Sequence, residues 1–127
     1  MLATDEGKFQ GGEDTAPPPL EFFLAGLVGC LMSLVRVHAK RVKIDIDDVE
    51  RSCQAKWEAL SDEGGPYQGR PVRFDIDMDV TSTADPDRIA ELISAARRGC
   101  FVEQTLRQAN EIEHTLKING QEWQHGG

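Results

Sequence analysis

Three cysteines, Cys30, Cys53 and Cys100, are the side chains in this sequence best suited to covalent chemistry at neutral pH. A cysteine reacts as its thiolate, so the question is which of them lies where deprotonation is favoured. Their number is odd and their separation wide, which fits neither a secreted disulfide framework nor a zinc spacing. Reduced thiols follow as the starting assumption. Cys30 sits within EFFLAGLVGCLMSLV, an almost uncharged run, where it reads either as a small hydrophobe or as a reagent held in the core. Cys100 follows Arg97, Arg98 and Gly99. If Gly99 breaks a helix, this thiol opens a new one, where unpaired N–H groups and the two arginines favour a thiolate. The alternative is a glycine kink beside an ordinary core thiol. Cys53 lies on the apolar face of a strand and reads as packing.

Other constellations carry less. Asp75, Asp77 and Asp79 resemble a metal comb, but their alternation is that of the solvated face of a strand. His38, His114 and His125 have no metal-ligand neighbour at useful spacing. No phosphate loop, dinucleotide fingerprint or nucleophile elbow is present, so neither cofactor nor metal is expected.

The elements that must position these thiols can be read from patterning. Residues 1–18, with Gly11-Gly12 and a triple proline ending at Pro19, form an extended arm or loop. A helix is expected from Pro19 to Arg41, with Glu21 at its positive end. From Phe22 to Val35 it is apolar on every side, which predicts cover on all sides by protein. Ala25, Gly29 and Ser33 recur every fourth residue, with Gly26 and Cys30 alongside. This small-residue stripe would let another backbone approach closely.

Two strands follow. Val49, Arg51, Cys53, Ala55 and Trp57 share one face of the first; Val72, Phe74, Ile76, Met78 and Val80 face inward on the second. Asp85-Pro86 starts a second helix, whose buried face is Ile89, Leu92, Ile93 and Ala96. A further helical stretch opens at Cys100. EIEHTLKING reads as a last strand with Ile112, His114, Leu116 and Ile118 on one face, and residues 121–127 as a flexible tail. The order implies one α+β domain with antiparallel pairing.

Composition bounds the function. At 127 residues with 39% hydrophobic and 28% charged, the chain suits one globular core. A formal net charge of −8 argues against nucleic acid or an anionic membrane as partner. The apolar run meets Arg36 too soon for a bilayer span, and acidic residues precede it where a signal peptide needs positive charge. A buried helix in a cytoplasmic protein is the expectation.

GGEDTAPPPLEFFLAGLVGC resembles the segment of the OsmC/Ohr family (osmotically inducible protein C and organic hydroperoxide resistance proteins) that leads into its first cysteine. GCFVEQTL resembles the segment holding the second, which usually reads Cys-Pro-Val with Thr-Leu a few residues on. The resemblance spans about residues 5 to 120. It implies an intertwined homodimer with two long central helices wrapped by antiparallel, six-stranded sheets, and active sites at the subunit interface. It also implies thiol-dependent reduction of small organic hydroperoxides, as in a stress-response peroxidase. Cys30 would be the peroxidatic thiol, Cys100 the resolving one, and a dithiol or lipoyl group the reductant. Phe22, Phe23, Leu27 and Phe101 would line the substrate pocket.

This sequence departs from the family pattern in three places. The N-terminal hairpin, whose arginine stabilises the thiolate, is missing from this chain; Arg36, Arg97 and Arg98 are the candidate substitutes. Residues 1–16 or a tighter dimer would then cover the sheet edge so exposed. The glutamate that orients the arginine stands ten residues before the cysteine in many members, where this chain has Leu20. Glu21, nine before, matches another subgroup, and at about 100° per residue it lies opposite Cys30 on an ideal helix. Phe101 replaces the proline after the second cysteine, weakening the expected break. The missing arginine also motivates a second reading, a non-catalytic dimer of this fold that binds a small apolar ligand or serves a structural role.

Overall fold

The computed structural model describes residues 19–61 and 64–123. The N-terminal arm, its expected place on the sheet edge, His125 and the end of the tail lie outside these residues.

Helix α1, Pro19–Val42, starts and stops where its sequence says it should. Pro19 lacks the N–H that an N-terminal position would leave unpaired, and Glu21 sits in the first turn. At the far end Lys43 takes a left-handed conformation, φ 57°. Its N–H donates to the Lys40 carbonyl at 3.3 Å, and the Ile44 N–H reaches back to the Ala39 carbonyl at 2.9 Å. This is a Schellman end, and the accompanying apolar contact is present: Ile44 and Ala39 share a buried cluster with Leu92.

The chain then forms a long antiparallel hairpin of β1, Asp48–Leu60, and β2, Gln68–Thr81. The inner residues Cys53, Ala55, Trp57, Phe74, Ile76, Met78 and Val80 are half-buried. Two expected inward residues are exposed, Arg51 and Val72. The register shifts between Lys56, opposite Arg73, and Trp57, opposite Pro71, so Val72 is the extra residue of a bulge. The Arg51 guanidinium turns back to the Val49 carbonyl at 3.2 Å.

Helix α2, Pro86–Gly99, is capped by Asp85, whose carboxylate accepts the Asp87 N–H at 3.2 Å. Its Leu92 and Ala96 lie one turn apart and pack on α1. A short helix α3, Phe101–Arg107, follows directly. The chain closes with a small hairpin, β3, Leu116–Ile118, and β4, Gln121–Trp123. Its turn, Asn119-Gly120, has φ of 53° and 81°, the paired positive values of a tight hairpin turn.

The architecture is α+β with antiparallel pairing, as the pattern predicts. Three details differ. The last strand is confined to Leu116–Ile118, because Ile112 and His114 are exposed and face no neighbour. Residues 121–123, expected in the tail, are strand β4. The sheets are two-stranded among the described residues.

A fourth difference concerns cover. Leu27, Leu31, Val35 and Ala39 are buried along one face of α1, with Met32 beside them. Ala25, Gly26, Gly29 and Ser33 are exposed, so one chain covers the helix on one side only. A Cβ added at Gly26 or Gly29 would meet nothing within 4 Å. The helix is long and apolar enough to cross a membrane, yet it also supplies the centre of this chain's core.

Candidate active site: a thiol pair at a helix break

Cys100 ends one helix and begins the next. Its φ of −75° and ψ of 110° are extended, so it is the C-cap of α2 and the N-cap of α3 at once. Its N–H donates to the Arg97 carbonyl at 3.4 Å, and its carbonyl accepts the Gln104 N–H at 2.9 Å. Its Sγ accepts the Glu103 N–H at 3.4 Å, a cap made by sulfur where serine or threonine usually serves. Gly99 closes α2 as expected, so the break forms without a proline at position 101.

The side chain of Cys100 is wholly buried, in a cluster with Leu31, Val35 and Ala96. Half-buried Cys30, reaching in from α1, packs on the same cluster. The two thiols, far apart in the chain, are brought to one cluster, near enough for Cys30 to act on Cys100, and both are free. Burial pushes the Cys100 thiol above its ordinary value, and Cys30 beside it pushes the same way; the N–H groups of Glu103 and Val102 pull against them. The expectation that this position favours a thiolate is therefore corrected. The N–H groups do face the sulfur, but desolvation outweighs them.

The three candidate arginines are engaged elsewhere or exposed. Arg97 turns to the Glu103 carboxylate at 3.5 Å, and Arg98 donates to Ser94 Oγ at 2.6 Å. Arg36 is exposed and pairs with no carboxylate among the described residues. Glu21 is exposed in a first turn that is regular α-helix, about 13 Å of helix axis from Cys30. Within one chain it is not brought to the thiols. Cys53 is half-buried on β1, and burial followed by the Asp75 charge raises its pKa. Among the described residues no His, Cys, Asp or Glu cluster could hold a metal ion.

Glu103 is the residue that the sequence reading misses. It is 8% exposed, and Arg107 joins Arg97 on its carboxylate at 3.3 Å. The signal is present in Cys-Phe-Val-Glu, the spacing of a capping box with sulfur at its head, and in Arg107 four residues further on. Beside this ionic group opens a cleft of about 670 Å³, with Leu27, Leu31, Ile76, Met78, Ile93 and Leu106 in its walls. Arg97, Glu103 and Arg107 also border it, whereas neither thiol of the pair does. Of the four residues expected to line a pocket, Leu27 does so. Phe23 packs instead near Trp57 and Phe74, with ring centroids 6.5 and 6.3 Å away, and Phe101 is 85% exposed.

A family model described as OsmC-like protein matches residues 11–115. The chain belongs to the OsmC-like family. An OsmC-like hydroperoxide resistance protein from Jannaschia sp. CCS1 is 43% identical, with 95% of this chain and 76% of that one covered and a TM-score of 0.76. An organic hydroperoxide resistance protein OsmC from Legionella pneumophila is 22% identical over 84% of this chain and 73% of its own, TM-score 0.63. An OsmC-like protein from Mycoplasma pneumoniae is 18% identical over 80% and 68%, TM-score 0.65. At these lower identities the likeness is one of fold. No curated protein matches the chain. The α+β arrangement described above is thus the OsmC fold.

Proposed function

We propose that this OsmC-like protein reduces small organic hydroperoxides through Cys30 and Cys100. The observation that carries the reading is the packing of a half-buried thiol from α1 on the cluster that holds a wholly buried one at a helix break. The 43% identity to a hydroperoxide resistance protein adds the substrate class. The Cys30 thiolate attacks the terminal peroxide oxygen, the O–O bond breaks, and the alkoxide leaves and takes a proton as alcohol. Cys30 is now a sulfenic acid. The Cys100 sulfur, deprotonated as it reacts, attacks the Cys30 sulfur and expels hydroxide, which leaves as water once protonated. A dithiol, such as a lipoyl group, returns two electrons by exchange and leaves as its own disulfide. In this scheme Glu21 acts from a second copy of the chain, because its own helix carries it away from Cys30. The exposed stripe Ala25, Gly29 and Ser33 is the surface for that copy, in a homodimer.

The test is one equivalent of cumene hydroperoxide followed by intact mass and peptide mapping. A Cys30–Cys100 disulfide that dihydrolipoamide reverses is the expected product; unchanged thiols in folded protein would overturn the reading. The cleft, with apolar walls and a charged rim, favours a second reading, a non-catalytic dimer that binds a small apolar ligand there. Stoichiometric peroxide loss that disappears in Cys30→Ser would eliminate it.

A further inference from the structure

Glu103 is a buried carboxylate at the edge of the core, and its contacts centre on one joint. Arg97 comes from the last turn of α2, Arg107 from α3, and both guanidinium groups meet the same carboxylate. The backbone N–H of Glu103 is also the donor to Cys100 Sγ. A second tie runs parallel, from Gln104 Nε2 to the Arg97 carbonyl at 3.1 Å. The side chain therefore bridges the two helices whose junction is Cys100, while its backbone holds the sulfur. The residues flanking Cys100 add little side-chain restraint: Gly99 precedes it, and Phe101 is almost fully exposed.

We propose that Glu103 is a positioning residue, which fixes the α2–α3 break so that the Cys100 sulfur faces Cys30. Its carboxylate acts on the second thiol through the backbone, and only its N–H touches a reacting atom, the Cys100 sulfur. The proposal rests on the thiol-pair reading but not on peroxide as the oxidant, because the joint serves any reaction in which Cys100 attacks a Cys30 adduct.

The structure offers an independent way to lock the same joint. Position 101 is the first residue of α3, where proline is favoured, and Cys100 already has the extended backbone that a following proline demands. Phe101→Pro should therefore replace the constraint that Glu103→Gln removes.

The experiment uses 5,5′-dithiobis(2-nitrobenzoate) on the full chain carrying Cys53→Ser. Cys30 thiolate attacks the reagent and releases one thionitrobenzoate; Cys100 thiolate then attacks the mixed disulfide and releases a second. Glu103→Gln should leave the first release unchanged and slow the second on the order of tenfold, the scale of a misplaced reacting group. Adding Phe101→Pro should restore it. A purely electrostatic role predicts the opposite sign, because removing a negative charge near Cys100 favours its thiolate and speeds the second release. An unchanged or faster second release overturns the proposal, and so does a slow one that Phe101→Pro fails to rescue. Should Glu103→Gln lose its folded circular dichroism, Arg97→Gln cuts only the arm to α2 and must show the same slowing and rescue. No second release from the parent protein would sink the thiol-pair reading as well. Two releases from a parent that ignores cumene hydroperoxide would end only the peroxidase reading.

Discussion

Cys30 meets Cys100 across a helix crossing as a half-buried thiol against a wholly buried one. On the proposed chemistry that asymmetry predicts an order of events, with an incoming oxidant reaching the more accessible sulfur first. Cys30→Ser should abolish thiol oxidation by cumene hydroperoxide. Cys100→Ser should still react once and retain one oxygen on Cys30, which dimedone captures and mass spectrometry locates. Equal loss of the first step in both variants would contradict this order.

The raised pKa of Cys100 ties stability to pH. In the unfolded chain the thiol ionises near its ordinary value of 9.0, whereas the folded chain keeps it protonated to higher pH. Above that value the unfolded state has lost protons that the folded state retains. Stability contributed by the protonated thiol is complete below pH 9 and is lost as pH rises through the folded value. Urea midpoints measured at rising alkaline pH should fall for the parent chain and fall less for Cys100→Ala.

Gly29 distinguishes a helix facing water from a helix facing a partner. Within one chain a Cβ there meets nothing, so Gly29→Ala should stabilise an isolated protomer by about 1 kcal/mol through helix propensity alone. If a second helix lies against the stripe, the methyl group intrudes instead. We expect the intrusion to win: sedimentation should show weaker self-association, with lower thermal stability at low protein concentration. A more stable variant with unchanged assembly would place the stripe in solvent.

Leu31 is 1% exposed, in the cluster that holds Cys100 and against which Cys30 packs. Leu31→Ala should cost about 2–5 kcal/mol, read from chemical denaturation. Because the void opens against Cys100, its labelling by a neutral maleimide should accelerate as well. A loss below about 1 kcal/mol would mean that the cluster collapses to fill the gap.

The fold was legible wherever local rules and burial agree. Pro19, Asp85-Pro86 and Gly99 mark helix ends by backbone chemistry, and Cys53, Ala55, Phe74, Ile76 and Met78 alternate as a half-covered hairpin must. Reading went astray where the outcome depends on a neighbour. The apolarity of α1 on every side says that the helix is unsuited to water, not that its own chain covers it. EIEHTLKING alternates, but alternation yields a strand only if another strand lies alongside, and β4 is long enough to pair three residues. At the site, Cys100 could be placed at a helix start from Gly99 alone. The fate of the arginines could not, because it depends on Glu103 being folded inward, and a glutamate in an amphipathic stretch usually points to solvent.

In the proposed cycle one sulfur atom carries two duties that conflict in time. While Cys100 caps α3 it must keep a lone pair on the Glu103 N–H; bonded to another sulfur it is a poorer acceptor, drawn toward α1. Redox state would thereby be transcribed into backbone protection at a single joint. Amide exchange around residues 97–104 would report the electron supply of the surrounding solution, as a gauge reports pressure in a line.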